Sequence, residues 1–317
     1  MFEGLRLRQR SRPALVDALL SQAHIDPGQP PAPGIISVAA IQMVYRETDD
    51  PSTWIEQCQA LTIAAASAGA QVLVFPASAP LALVVSLGGK DMRFAYSGQA
   101  PNAPSPTHRR GYARMYPAAY RLYHRTFSLL ARRAGLTIVA GDLPAPGHAG
   151  PAHLATVFSA DGRPRLRQRA VGEGQALAAA ELQTTAAGGS SLAAAILEES
   201  ALPWLTSTLT TTRVDLLALL PGQYSSGDAN AALAAAMQGG CYVIQPYLVG
   251  GPESVTANGR SGVYAPPALT ADGSGLLAQA VSTGEEEIVL AALTVNAAGR
   301  PSPQETHVGS ASDGVRR

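Results

Sequence analysis

The segment from Ala70 to Pro80 constrains the fold of this chain more than any other. Its four consecutive apolar residues, Val72 to Phe75, are typical of a strand buried on both faces. Pro76 cannot donate a hydrogen bond to a neighbouring strand, so we expect the strand to end there. Ala77 then lies at the carboxyl end of the strand, where open α/β sheets place ligands and catalytic side chains.

The charge balance excludes several classes of partner. The 317 residues carry 23 basic and 23 acidic side chains, so the formal net charge is zero. This balance argues against nucleic acid and a polybasic membrane surface, and it favours self-association. No apolar run reaches the roughly 18 residues that span a bilayer, and the N-terminal arginines precede only a short apolar patch. We therefore expect a cytoplasmic protein with no membrane partner.

The cysteines and histidines indicate neither a disulfide framework nor a metal site. Cys58 and Cys241 are the only two cysteines, and both are typical of small buried hydrophobes. The six histidines show no metal-ligand spacing, and the glycine pairs match no phosphate-binding loop. We expect no metal and no cofactor.

The distribution of proline, glycine and apolar residues divides the chain into three parts. Residues 1–34 form an arm with a helical stretch at 13–24 and a Pro/Gly linker, residues 35–300 form one domain, and 301–317 form a polar tail. A long loop rich in tyrosine and arginine is predicted over 89–116, with Pro117 starting the next helix.

The apolar patterns of the domain predict two stacked sheets covered by helices on both outer faces, a four-layer αββα sandwich. Helices are predicted over 52–68, 117–133, 204–212 and 228–238. Strands are predicted over 35–43, 72–75, 136–141, 153–159, 163–169, 192–197, 214–220, 241–247, 262–264, 275–281 and 287–296.

Several segments, taken in order, resemble the nitrilase or carbon–nitrogen hydrolase family over roughly Ile35 to Arg300. The resemblance implies the αββα sandwich of that family and a homodimer that often extends into spirals or filaments. The segment Gly69 to Pro76 resembles the family's "GADLVVFPE" sequence. The other segments that carry the resemblance are Val38–Met43, Ile138–Gly141, the Asp161-Gly162 hairpin, Val214–Pro221 and Glu287–Leu293.

The family hydrolyses amides and nitriles with a Glu–Lys–Cys triad and no metal. The resemblance places the Glu at Ala77 and the Lys at Ala170, at the end of the hairpin. It places the Cys at Leu197, six residues before Pro203. None of these three side chains can act as base, cation or nucleophile, and the single lysine, Lys90, lies far from the hairpin. The resemblance therefore implies a member of the family without its triad, a pseudoenzyme.

Polar residues directly after the strand at 192–197 are the candidates for a replacement site. Ser200 could act as a nucleophile with Glu198 or Glu199 as base, and a histidine could approach them in space. The simpler interpretation is that these acids cap the next helix or pair with Arg169. The histidines considered are His108, His124 and His153.

Three functions follow from these observations. The first is a catalytically inactive homo-oligomer or filament subunit, or a non-catalytic partner of an active relative. Its dimer would form through the helices at 204–212 and 228–238, as the resemblance implies. The second is a small-molecule binding protein that uses the former pocket around Ala77, Ala170 and Leu197. The third is a carbon–nitrogen hydrolase with displaced catalytic residues. The loop over 89–116 is either a partner surface or a cover over the emptied pocket.

Overall fold

The computed structural model describes residues 11–21, 25–26, 28–29, 31–89, 92, 106–146, 152–170, 182–197, 202–221, 229–251 and 259–302. The described helices are α1 (Pro13–Ser21), α2 (Pro51–Ser67), α3 (Leu81–Gly88), α4 (Pro106–Ala134), α5 (Leu202–Thr211) and α6 (Ala229–Gly239). The described strands are β1 (Ile35–Val44), β2 (Val72–Val74), β3 (Thr137–Asp142), β4 (Leu154–Phe158), β5 (Pro164–Arg169), β6 (Thr184–Ala187), β7 (Ser190–Leu197), β8 (Leu216–Pro221), β9 (Tyr242–Gln245), β10 (Tyr247–Val249), β11 (Gly262–Tyr264), β12 (Leu276–Gln279) and β13 (Glu287–Thr294).

The first sheet has the strand order β10-β1-β2-β3-β4-β5, and β13 also pairs with β1. Strands β1, β2 and β3 are parallel, and a helix follows each of the first two along the chain, as a parallel connection needs. Strands β3, β4 and β5 are successively antiparallel, and β4 and β5 form the predicted hairpin. Residues 35–42 of β1 pair with β13 and residues 42–44 with β10, so both strands share one edge of β1.

The second sheet has the order β12-β11-β9-β8-β7-β6. Its central strands β7, β8 and β9 are parallel, and β6, β11 and β12 are antiparallel to their neighbours. Strands β11 and β12 pair antiparallel with each other in this sheet, whereas β13 pairs with β1 of the first sheet. The single strand predicted over 241–247 is wrong, because this segment divides between β9 in the second sheet and β10 in the first.

Three buried apolar layers separate the two sheets and their helices. The layer between the sheets contains residues from strands of both sheets, such as Val38, Val74, Ala194 and Ala218. A second layer packs the outer face of the first sheet against α1 to α4, and a third packs the second sheet against α5 and α6. This arrangement confirms the predicted four-layer αββα sandwich. None of the described helices combines the length and the apolar character needed to cross a membrane.

Helix α1 packs on the rest of the fold through its apolar face. Its residues Val16 and Leu20 are fully buried in the layer that it shares with α2 and α4. Arg125 of α4 forms an ion pair of 2.7 Å with Asp17, and the Arg133 guanidinium donates a hydrogen bond to the Leu20 carbonyl oxygen. Residues 1–10, 22–24 and 303–317 of the predicted arm and tail lie outside the described residues.

The prediction of a loop up to residue 116 is wrong for its second half. Helix α4 begins at Pro106 and continues through Pro117, a solvent-exposed residue in the middle of the helix. A proline within a helix removes one backbone hydrogen bond and costs about 3 kcal/mol. Burial of Tyr112 and Met115 on the preceding turns offsets this cost, because each large buried side chain contributes roughly 1.5–3 kcal/mol. The sequence pattern does not predict a helix over 81–88. In the structure these residues form α3, which is almost wholly buried.

Strand β3 approaches the end of β2 most closely at Gly141. This glycine has a φ angle of +73°, and a Cβ atom built on it would lie 2.2 Å from the Pro76 carbonyl oxygen. The pairing of β3 with β4 shifts register between Val139 and Asp142, which is a β-bulge at this glycine. Only glycine fits this position, because any side chain would meet the backbone of the neighbouring segment.

We expect Gly141→Ala to lower the free energy of unfolding by about 3 kcal/mol or more, since backbone atoms must move to admit the methyl group. Urea denaturation of the variant measures the loss. Gly135→Ala is the matched control. Gly135 also has a positive φ of +65° but meets no described atom within 4 Å of an added Cβ, so its loss should be about 1 kcal/mol. Equal losses in the two variants would contradict the close approach.

Candidate functional site

Four residues at strand ends come together at one end of the first sheet. Strands β2, β3 and β5 finish at this end and β4 begins there, because β2 and β3 are parallel while β4 runs against its neighbours. The Asp142 amide donates to the Ala77 carbonyl oxygen over 2.8 Å, and the Ala170 amide donates to the His153 carbonyl oxygen over 2.9 Å. The backbone thus places Asp142 and His153 between the predicted positions Ala77 and Ala170.

Asp142 and His153 form the polar centre of this end of the sheet. The Asp142 carboxylate is buried, with 3% of its side chain exposed, and its Oδ2 atom contacts Nδ1 of His153. Its second oxygen, Oδ1, accepts a hydrogen bond from the Leu154 amide at 2.7 Å. The imidazole of His153 keeps 23% of its side chain exposed. A carboxylate bound to one ring nitrogen fixes the orientation of the imidazole, an arrangement that suits proton transfer.

The bulge at Gly141 explains how Asp142 reaches His153. In a regular strand, alternate residues point to opposite faces of the sheet. Bulges change the direction of a side chain and are frequent beside active sites. Here the bulge lies immediately before Asp142, and the Gly141 carbonyl oxygen accepts a hydrogen bond of 3.2 Å from Tyr123 in α4.

The three predicted triad positions are apolar and lie at the carboxyl ends of strands. Ala77 is buried in the layer between the sheets, and Ala170 packs against that layer. Leu197 is the last residue of β7 and pairs with Pro221 of β8. The side chains at the two alanine positions therefore supply no polar group.

Leu197 lies at the same end of the sandwich as Ala77. Near the start of β9, the Tyr242 hydroxyl donates to the Thr294 carbonyl oxygen over 2.8 Å, and Thr294 pairs with Ile35 at the start of β1. The parallel strands of the two sheets thus begin at the same end, so they also finish at the same end. The replacement candidates Glu198, Glu199 and Ser200, and Lys90, lie outside the described residues.

Both cysteines are buried and unsuited to nucleophilic attack. Cys58 in α2 and Cys241 before β9 are each 0% exposed. Burial raises the pKa of the Cys58 thiol well above its usual value, and the negative charge of Glu286 adds to the shift. Burial also raises the pKa of Cys241 to about 12. The thiolate is the reactive form, so neither residue is poised to attack a substrate.

Two tyrosines of α4 lie within electrostatic reach of Asp142. Tyr112 donates a hydrogen bond of 2.5 Å to the Pro144 carbonyl oxygen, and its pKa is raised by burial and then by Asp142. Burial raises the pKa of Tyr116, and the neighbouring Tyr120 and Asp142 contribute to that shift. Both hydroxyls therefore stay protonated around neutral pH and can act only as neutral donors or acceptors.

The histidines considered from the sequence separate in the structure. His153 pairs with Asp142, whereas the His124 ring packs 5.1 Å from the ring centre of Phe158. Burial and then the charge of Arg167 lower the pKa of His124. The side chain of His108 lies outside the described residues. Within the described ranges, no three His, Cys, Asp or Glu side chains gather as a group that could hold a metal ion.

Sequence reasoning misses Asp142 as a site residue. The apolar pattern ends the strand at Gly141 and gives no indication that this glycine forms a bulge. The available signal is the position of Asp142 itself, directly after a buried strand that neighbours the strand before Ala77.

Comparisons with known proteins identify the fold. No family model matches the sequence, and no curated protein matches it. An amidase from Nesterenkonia sp. superposes with a TM-score of 0.59 and 17% identity, over 84% of this chain and 93% of its own. A mutant of the Nesterenkonia AN1 amidase from the nitrilase superfamily gives 0.59 and 17% over 84% and 94% of the two chains. Another mutant, with acrylamide added to its active-site cysteine, gives 0.57 and 17% over 80% and 92%. The chain therefore has the fold of nitrilase-superfamily amidases.

Proposed function

We propose that this chain is a nitrilase-like protein without the family's cysteine-dependent hydrolysis, and that it acts as a subunit of an assembly. The assembly is a homo-oligomer or filament, or a complex in which this chain is the non-catalytic partner of an active relative. The proposal combines the loss of the catalytic side chains with a surface suited to self-association.

The main support for the absence of cysteine-dependent hydrolysis is the burial of both cysteines. An amidase of this fold is described with acrylamide on its active-site cysteine. This chain has only Cys58 and Cys241, and each is fully buried with a raised pKa. No other thiol exists in the sequence to replace them. The alanines at 77 and 170 further support the proposal, because they supply neither a base nor a cation.

The composition of α5 and α6 supports the assembly. These helices cover the second sheet, and their 10 and 11 residues include no charged side chain. Exposed helical surfaces normally carry charges, and interface centres are depleted of them. Met237 of α6 is 58% exposed, a large apolar side chain on this uncharged surface. A second copy that packs on α5 and α6 would remove it from water.

We expect the native protein to resist alkylation of both cysteines by iodoacetamide. With a pKa of about 12, Cys241 is only about 0.1% thiolate at about pH 9, and burial blocks access to both thiols. Mass spectrometry should find no modification of the native protein within an hour. The urea-unfolded protein is the control and should gain two adducts. Rapid modification of either native thiol would contradict the proposal.

We expect Met237→Glu to reduce the mass of the assembly measured by light scattering at high salt. An ionised carboxylate in a desolvated interface costs about 3 kcal/mol, which corresponds to roughly 100-fold weaker association. Val281→Glu is the matched control, because it makes the same change at a residue that is 87% exposed and lies outside both helices. A monomeric wild-type protein, or an unchanged mass in Met237→Glu, would refute this interface.

The Asp142–His153 pair favours a second candidate function, hydrolysis by a displaced site. In this reaction His153 accepts a proton from a water molecule whose oxygen adds to the carbonyl carbon of a small ester. The carbon–oxygen bond of the ester then breaks, and the leaving alkoxide takes the proton back from His153. Asp142 keeps the imidazole oriented throughout and is a positioning residue.

A screen of small amides and nitrophenyl esters separates the two candidates. The first predicts no turnover above buffer. The second predicts ester turnover that falls about 100-fold or more in His153→Gln, falls less in Asp142→Asn, and is unchanged in Cys241→Ala. Amide turnover that stops on alkylation of a cysteine would refute both candidates.

A further inference from the structure

Half of the arginines of this chain lie on one side of the first sheet. Helix α4 contains seven arginines and no acidic residue, and the β4–β5 hairpin contributes four more of the 22 in the sequence. All eleven are exposed. The members of this arginine face are Arg109, Arg110, Arg114, Arg121, Arg125, Arg132, Arg133, Arg163, Arg165, Arg167 and Arg169.

Five of these residues form a straight row along α4. The row repeats every eleven residues from Arg110 through Arg121 to Arg132, with Arg114 and Arg125 four residues after the first two. At 3.6 residues per turn, the five positions fall within about 60° of the helix circumference and extend over about 33 Å. The row therefore faces outward in one direction along nearly the whole helix.

The hairpin extends the arginine face beyond α4. In β5 the buried residues Leu166 and Gln168 alternate with exposed Arg165, Arg167 and Arg169. Leu166 belongs to the layer between the sheets, so the three arginines lie on the outer side, where α4 packs. Arg167 confirms this placement, because its guanidinium lies 5.6 Å from the ring centre of Tyr120 in α4.

Few acidic residues in the described part of the chain neutralise this face. Asp17 of α1 pairs with Arg125, and Asp161 in the hairpin turn pairs with Arg163 and Arg165. In these ion pairs, three of the eleven guanidinium groups contact two carboxylates. The face carries a strong positive potential even though the whole chain is neutral.

Exposed and partly exposed carboxylates gather near the opposite edge of the same sheet. They lie in the turn after β1 and around the start of β13, and the Arg46–Glu286 ion pair of 3.1 Å joins the two segments. Strand β13 is at one edge of the first sheet and β5 at the other. The members of this acidic corner are Glu47, Asp49, Asp50, Glu285, Glu286 and Glu287.

We propose that the arginine face of one copy binds the acidic corner of a second copy. The inference rests on the proposed function as a subunit and adds a second contact to it. Complementary charge favours a second copy over a polyanion as the partner. A neutral chain whose charges are separated carries both a basic surface and an acidic surface that can bind it. The two surfaces differ, so the contact is heterologous and leaves a free surface at each end, which permits growth into longer assemblies.

The strength of this contact depends on salt. Single exposed ion pairs contribute little, but a row of planar guanidinium groups can bind several carboxylates in bidentate geometry. The screening length falls from about 10 Å at 0.1 M salt to about 3 Å at 1 M. We therefore expect the mass from light scattering to be about threefold or more greater at about 50 mM salt than at about 1 M salt.

Charge reversal tests the proposal directly. Arg114→Glu with Arg121→Glu reverses the charge at the middle of the row on α4, and Asp49→Lys with Glu285→Lys reverses the charge at two positions of the corner. Each double variant alone should fail to form longer assemblies at low salt, because like charges then meet at the changed positions. A mixture of the two should regain it, since each variant restores the charge pairing of the other.

The matched control changes charge equally at residues outside both surfaces. Arg260 and Arg300 are exposed and lie outside the arginine face. The double variant Arg260→Glu with Arg300→Glu should therefore grow like the wild type at low salt.

The outcome also distinguishes this contact from the one through α5 and α6. Met237→Glu should still grow at low salt if the arginine face binds the acidic corner. Growth of both reversal variants alone, or no recovery in the mixture, would overturn the proposal. So would binding of polyphosphate or anionic vesicles by the arginine face in a protein that shows no salt-dependent growth.

Discussion

The candidate site depends on the contact between β3 and the end of β2 at Gly141. The absence of a side chain lets the strand lie against the Pro76 carbonyl, and the bulge that follows connects the Asp142 amide to Ala77. The same bulge brings the Asp142 carboxylate to His153 at the start of the next strand. The close contact between the β3 backbone and the Pro76 carbonyl therefore determines which side chains meet at this end of the sheet. The bulge sets the direction of the polar pair.

Apolar residues at the ends of these strands contribute to the packing of the fold. Ala77 and Ala170 pack in or against the apolar layer between the sheets. The buried thiols of Cys58 and Cys241 pack in the layers between each sheet and its helices. Apolar packing at these positions adds stability without the desolvation cost that a buried base and cation would bring. In the polar pair, the Asp142 carboxylate is satisfied by His153 and the Leu154 amide and requires neither alanine side chain.

The sequence predicts the sheets better than the site, for a physical reason. Strands such as β2 and β8 are continuous apolar runs buried on both faces, and their order along the chain is enough to indicate four layers. The limits of α4 depend on tertiary burial of Tyr112 and Met115, which overrides the signal of Pro117. The role of Asp142 depends on a bulge, which a local pattern does not reveal. The prediction for Glu198 to Ser200 concerns residues outside the described ranges.

The chain has zero net charge, but its charges are distributed unevenly over the surface. A net charge sums over the surface, whereas a partner meets only the charges within about a Debye length, roughly 10 Å at 0.1 M salt. Within that range the row on α4 is mostly positive, with Asp17 beside Arg125, and the turns beside β1 and β13 are mostly negative. In the proposed contact, overall neutrality would remove the long-range repulsion between copies, and the local separation of charge would orient them as they approach. A neutral chain with separated charges is therefore better suited to ordered self-association than one with the same charges mixed evenly.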